Sequence, residues 1–340
     1  HIGGISWQIS GNKIDTVIFE NCYNKNIKIQ STSGGGIISG SAVHYGSVYN
    51  ARINIIIKNC FSIGGELGYP FQVLTGNQTA QAIGGICGGG FRGHVLNCFS
   101  NDTFISPSNQ HGYICGGSNV NTALVENCYS IGDMNVYNSG GMCGINNRCD
   151  ISNCFSIGNI TSNGSGGLTG YGHADGNVTN CYSTGNITDT ACGGLMGTTC
   201  HSGIYTNCFT TGNITHTNAG GMFGGRANCS FYGNETNSHY LCVKNCYVLG
   251  NITTMGAGGF CAYLSGNGDK QLMNHRLEMY NCYYGGTHTH NHHNDFRLGA
   301  LCGQQACSLK AYNCYSTDPN IPLIGRIIQK LIDTNGNSAP

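Results

Sequence analysis

The sequence predicts an all-β fold: a right-handed parallel β-helix of about ten coils, closed by a short C-terminal helix. Three observations lead there. The tripeptide Asn-Cys-(Tyr/Phe) recurs ten times. A Gly-Gly-apolar landmark follows most copies at a fixed distance. Between the landmarks, apolar residues come in short β-prone pieces and never hold a helical period for ten residues.

The motif cysteines are Cys22, Cys60, Cys98, Cys128, Cys154, Cys181, Cys208, Cys246, Cys282 and Cys314, at spacings of 38, 38, 30, 26, 27, 27, 38, 36 and 32. The minimal unit is therefore about 27 residues. Gly140-Gly141-Met142, Gly166-Gly167-Leu168, Gly193-Gly194-Leu195, Gly220-Gly221-Met222 and Gly258-Gly259-Phe260 each begin twelve residues after a motif Cys. Within Gly193–Ala219 the pieces LMG, GIYTNCF and GNIT are separated by Gly, Asn, Ser and Thr. Three short strands and three bends describe one coil of a parallel β-helix, stacked on its neighbour at ~4.8 Å. No such unit can bury its apolar side alone. Ten would give a rod roughly 50 Å long. A four-stranded propeller blade needs about 40 residues, more than the minimal unit offers.

Residues 1–20, which hold the only Trp (Trp7), read as a partial first coil, and residues 1–316 as a single domain. The pattern breaks at Asp318-Pro319. In residues 317–340, Leu323, Ile324, Ile327, Ile328, Leu331 and Ile332 recur at helical spacing, and Gly336 is a suitable stop. This predicts a capping helix, or one that docks a neighbouring subunit. Extra length falls near residues 38–52, 65–80, 225–241, 262–276 and 285–295, at two bends of the coil. In solenoids such loops mark either an interaction surface or tolerated drift.

The composition narrows function. Fifteen basic and fifteen acidic residues among 340 leave no basic field for nucleic acid. No apolar run approaches the ~20 residues that span a bilayer. The chain opens at His1, without a charged leader, which suggests a processed or trimmed product.

The run GGLxG followed by NCY-x-x-GN-(I/V) resembles the GLUG-motif repeats of large adhesin-like cell-surface proteins, over roughly residues 30–316. The resemblance implies surface location and adhesive or structural work, with no catalytic residue set. The high cysteine count departs from that pattern.

The ten motif thiols are expected to form one file along the rod, where neighbouring rungs fall within disulfide reach and buried thiols also pack as small hydrophobes. Cys87, Cys115, Cys143, Cys261 and Cys302 follow the Gly-Gly landmark; Cys149, Cys192, Cys200, Cys229, Cys242 and Cys307 lie outside both columns. Cys229 and Cys242 flank an insertion and suggest a disulfide staple. The absence of CxxC argues against zinc-ribbon and thioredoxin-like sites.

Sequons occur at Asn77, Asn101, Asn159, Asn163, Asn177, Asn186, Asn213, Asn228, Asn234 and Asn251. Four of them, Asn159, Asn186, Asn213 and Asn251, stand five residues after a motif Cys. If the intervening Ile points inward, Asn and Thr must point out, as a column of glycans on an extracellular protein. The alternative is an unsugared Asn ladder. The stretch THTHNHHNDF (His288, His290, His292, His293 and Asp295) lacks fixed ligand spacing and reads as a solvated loop, though imidazoles could hold Cu, Ni or Zn. Polysaccharide cleavage needs clustered carboxylates. Asp133, Asp150 and Asp175, the nearest candidates, occupy different repeat positions.

The expectation is a non-enzymatic, extracellular structural or adhesive protein, without a cofactor. Its expected partners are further copies in an oligomer or filament, or a glycan or host-surface ligand. A carbohydrate-binding module and a β-helical polysaccharide-degrading enzyme are the alternatives; exposed aromatics along one face would favour the first.

Overall fold

The computed structural model describes residues 2–3, 16–30, 33–36, 54–68, 81–89, 91, 93–105, 110–117, 123–145, 149–172, 176–200, 202–225, 240–264, 276–289, 298–305 and 308–327. These residues are all-β, and every strand pairing among them is parallel. Among them no helix is long and apolar enough to cross a membrane.

Each motif copy supplies one strand to each of two ten-stranded sheets. The first sheet holds the segments before the motif Asn, such as Gly176–Thr179 and Gly203–Thr206. The second holds the segments after the Cys, such as Tyr182–Ser183 and Phe209–Thr210. Register follows the repeat without slip: Tyr182 pairs with Phe209, and Val178 with Tyr205. Further round the repeat, single bridges link Met134, Ile160, Ile187, Ile214, Ile252 and His288 in one file. Another file joins the glycines at the first landmark position, from Gly84 through Gly140 and Gly193 to Gly299, and in two copies Tyr113 and Ala300 replace the second glycine. Strand alternation sends every second residue inward. Val178, Cys181, Ile187 and Leu195 of one copy are all completely buried.

The ten motif cysteines fall at equivalent places between the paired strands of the two sheets, in a single file. The eight from Cys60 to Cys282 are buried, and Cys22 and Cys314 at the ends are half-buried. All ten are thiols. Nine of them donate to the carbonyl two residues earlier at 3.1–3.5 Å, as Cys181 does to Thr179 and Cys208 to Thr206; Cys314 does the same at 3.3 Å. The file thus has its hydrogen bonds met without bridging. Beside it runs an inward polar column of Ser62, Ser100, Ser130, Ser156, Ser183 and Thr210. It lies against the Gly-Gly backbone, which explains the second glycine. A Cβ at Gly194 would meet Thr210 Cγ2 at 2.6 Å and collide with the carbonyl of Gly221. The interior is too thin there for any side chain on that wall.

The predicted C-terminal helix is corrected over its first turn. Ile324–Ile327 is a strand, paired with Cys302–Gln305 through Cys302–Ile324 and Gln304–Arg326. Just before it, Ala300 and Leu301 donate to the carbonyls of Pro322 and Leu323 at 2.8 Å. The sheet edge offers ready backbone partners, while Gly325 and β-branched isoleucines disfavour a helix. Ile328, Leu331, Ile332 and Gly336 lie outside the described residues, as do His1 and Trp7.

Candidate functional site: the outer ladders

Three ladders run along the outside, one from each kind of motif position. The first begins at the motif Asn. All ten, from Asn21 to Asn313, have φ between 52° and 55°. This left-handed conformation is one that Asn, with its short polar side chain, adopts far more readily than most residues. It turns the chain from the first sheet into the second. The side chains then link copy to copy, the amide Nδ2 of one donating to Oδ1 of the copy before. Asn207 donates to Asn180 at 3.1 Å and accepts from Asn245 at 3.2 Å. Glycine could adopt the φ but not make the chain of amides. The motif asparagines were not singled out from sequence. Ten Asn fixed before ten Cys was the signal.

The second ladder is aromatic. Phe99, Tyr129, Phe155, Tyr182, Phe209, Tyr247, Tyr283 and Tyr315 stack in order, with ring centroids 4.4–5.5 Å apart and planes within 24° of parallel. Strand spacing sets that separation, and each stacked pair adds about 0.5–1.5 kcal/mol beyond burial. Tyr23 and Phe61 continue the register at the N-terminal end. Two residues on, still facing out, come Ile63, Ile131, Ile157 and Leu249, each 37–43% exposed. The outer face of the second sheet is therefore a continuous aromatic column beside a mixed one, in which these four aliphatic side chains share the file with Lys25, Asn101, Thr184, Thr211, Gly285 and Thr317. In these two columns Lys25 is the single charged residue. Patches of this kind on soluble proteins mark interaction surfaces. A pyranose stacks on a ring face, and along the stripe the faces are already spent on neighbouring rings, leaving edges to solvent.

The third ladder contains Asn159, Asn186, Asn213 and Asn251. The intervening Ile160, Ile187, Ile214 and Ile252 are completely buried, so Asn and Thr do point out. Asn159, Asn186 and Asn213 are exposed and Asn251 half-exposed. Each Oδ1 accepts the backbone N–H of the next copy at 2.9–3.2 Å, as Asn186 does from Asn213. Their Nδ2 atoms, the acceptors of any glycan, make no part of those bonds. Asn101, Asn163 and Asn177 stand in other columns; Asn77, Asn228 and Asn234 lie outside the described residues.

The remaining candidates do not converge. Asp133 Oδ1 accepts the Asn159 N–H at 2.7 Å, and Asp150 Oδ1 the Asn177 N–H at 2.8 Å, in two different columns. Asp175 lies outside the described residues, as do His290, His292, His293 and Asp295. His288 takes the Ile place in the third ladder, and its N–H donates to Asp318 at 2.7 Å. Cys242 is a buried outward position of the first sheet, while Cys229 lies outside the described residues, and the proposed staple with it. Among the described residues no three His, Cys, Asp or Glu side chains are grouped to hold a metal.

Two buried acids escaped the sequence reading. Asp102 accepts from Ser62 and Ser100 hydroxyls at 2.5 and 2.9 Å and from the Gly65 N–H at 2.8 Å. Burial pushes its pKa up in spite of these donors. Glu278 is paired with Arg276 and accepts from the Tyr240 and Tyr280 hydroxyls, both at 2.8 Å. Both carboxyls have their lone pairs engaged, which suits structure better than acid–base work.

No protein-family model, curated protein or solved structure matches the chain. The likeness to GLUG-motif repeats rests on the repeat residues themselves.

Proposed function

We propose that the chain is a non-enzymatic structural or adhesive protein of an extracellular surface, built as a right-handed parallel β-helix of about ten coils. The observation that carries this reading is the outer stripe of the second sheet. It is long and almost uncharged, and its column of stacked rings is regular and held in place by the strands beneath. A rigid rod with such a face presents the same contact at every ~4.8 Å step, which suits many weak contacts acting together. Further copies of the chain, in an oligomer or filament, are the partners that match it most simply, because a column of evenly spaced rings is covered best by another of equal pitch.

The extracellular half of the proposal draws on the GLUG-like repeats and on the exposed Asn-Ile-Thr column, which is suited to glycans. That column runs two residues beyond the aliphatic one, so sugars there would border the stripe and leave it open. The alternatives lose support on specific grounds. Ring faces are taken up by stacking, which disfavours a carbohydrate platform. Asp133 and Asp150 are committed to backbone amides in separate columns, which disfavours polysaccharide cleavage.

The test is Ile131→Lys with Ile157→Lys, two exposed positions that leave the interior untouched. Assembly is followed by light scattering and negative-stain electron microscopy. The proposal expects filaments or oligomers from the parent chain and their loss in the variant. A parent that stays monomeric at high concentration, or a variant that assembles equally well, would reject the stripe as the self-contact.

A further inference from the structure

The cysteines divide into two kinds by how they meet. Neighbours in the motif file are related by one strand step, so their Cβ atoms repeat at ~4.8 Å. A disulfide needs Cβ atoms about 3.5–4.5 Å apart. Their thiols are also committed to carbonyls, as described above. Cys87, Cys115 and Cys143 form a second column of the same translational kind, with Cys87 pairing Cys115 and Cys115 pairing Cys143; the Cys87 thiol donates to the Cys115 sulfur at 3.2 Å, but the strand step, and not the sulfur distance, sets the separation of their Cβ atoms.

Cys149 is different. It opens the strand Cys149–Ser152 of the first sheet, where its register partner is Ala123. Nothing in the repeat asks for Cys at that place. Yet its sulfur lies 3.6 Å from that of Cys143, on the opposite side of a six-residue step along the chain. Because the two come from different columns, strand spacing does not set their separation. Both are buried, at 0% and 1% exposure.

We propose that Cys143 and Cys149 are a disulfide-forming pair, a modification site distinct from the motif file, whose thiols stay reduced. The oxidant is a low-molecular-weight disulfide, RSSR, acting while the coil folds and before the pair is buried. One cysteine thiolate attacks RSSR, forms a mixed disulfide and releases RSH. The second thiolate then displaces the other RSH and closes the protein bridge. Two protein thiols are oxidised, one small disulfide is reduced, and both protons leave on the small thiols. The sulfurs need move from 3.6 Å to about 2.05 Å, within reach of side-chain rotation. The bridge would tie the Gly-Gly wall to the first sheet within one copy.

The full chain is refolded in a mixture of reduced and oxidised glutathione, quenched with acid, alkylated and digested with trypsin without reduction. Cleavage after Arg148 places the two cysteines in separate peptides, 93–148 and 149–226, so a bridge appears as two peptides held together, lighter by two hydrogens than their sum, and fragmentation that locates the alkylated cysteines in each assigns the bridged pair. The expected result is that linked pair, with Cys154, Cys181 and Cys208 alkylated. In Cys149→Ala, which places the residue of the preceding copy at the same register position, the linked pair disappears and Cys143 becomes alkylated. Alkylation of both Cys143 and Cys149 in the parent chain would overturn the proposal. So would a bridge from Cys143 to Cys115, or bridging along the motif file.

Discussion

Replacing one rung of the asparagine ladder separates its two roles. Asn207 has φ of 54° and two inter-copy side-chain hydrogen bonds, to Asn180 and from Asn245. Asn207→Gly keeps the backbone conformation and loses both bonds. At the solvent-exposed end of the range, two bonds are worth about 1 kcal/mol together. The added freedom of glycine in the unfolded chain costs up to about 1 kcal/mol more. Asn207→Ala loses the same bonds and must also hold a left-handed conformation, at about 1–2 kcal/mol. The expected losses are therefore about 1–2 kcal/mol for Gly and about 2–3 kcal/mol for Ala. Urea unfolding followed by circular dichroism reads both, and the alanine variant should lower the midpoint by about 1 M at unchanged slope. Equal midpoints for the two variants would show that left-handed geometry is not why Asn stands there. Midpoints equal to the parent's would refute the ladder itself.

Other consequences follow from the interior and the surface. Gly194→Ala should destabilise by about 3 kcal/mol, the upper end for overpacking, because the new methyl meets Thr210 and the Gly221 carbonyl; a thermal melt within a degree of the parent would contradict it. Acid stability should depend on two buried groups with opposite sign. Burial pushes His111 down to about 3, so its contribution is present above the unfolded value of about 6.5 and is lost as pH falls toward the folded one. His111→Gln should flatten that loss in urea midpoints taken between pH 7 and 4. Asp102 is raised by burial, so its contribution is full below about pH 3.9 and is lost as pH rises through the folded value. Asp102→Asn should remove that decline, and an unchanged pH profile would contradict the assignment. For the outward column, enzymatic deglycosylation of native material should lower the intact mass and convert Asn159, Asn186, Asn213 or Asn251 to Asp; an unchanged mass means a bare ladder.

Much of this was legible before any coordinates. A 27-residue motif with β-prone pieces leaves few ways to bury its apolar positions, and stacking copies in parallel is the one the chain uses. Period-two alternation also assigned inside and outside, which is why Cys181 and Ile187 point in and Asn186 points out. The C-terminal misreading shows where pattern fails. Over the few residues from Leu323 to Ile327, helical spacing and strand alternation cannot be told apart, and the open edge at Cys302–Gln305 decided between them.

Alternation tells a residue which way to face but not what it will face, and that difference marks what only the tertiary structure supplied. The rings of Tyr182 and Phe209 are 27 residues apart in the chain and 4.7 Å apart in space, and only their common register turns exposed aromatics into a stack with spent faces. Gly194 is small because Thr210 lies across a thin interior, a distance no local pattern encodes. Cys143 belongs to the landmark column and Cys149 to none, and nothing relates them until their strands are folded against each other. Repetition along the chain carries the periodic contacts, since each copy specifies its neighbour. Contacts across the interior join different positions of the repeat, and their geometry exists only once the coil has closed.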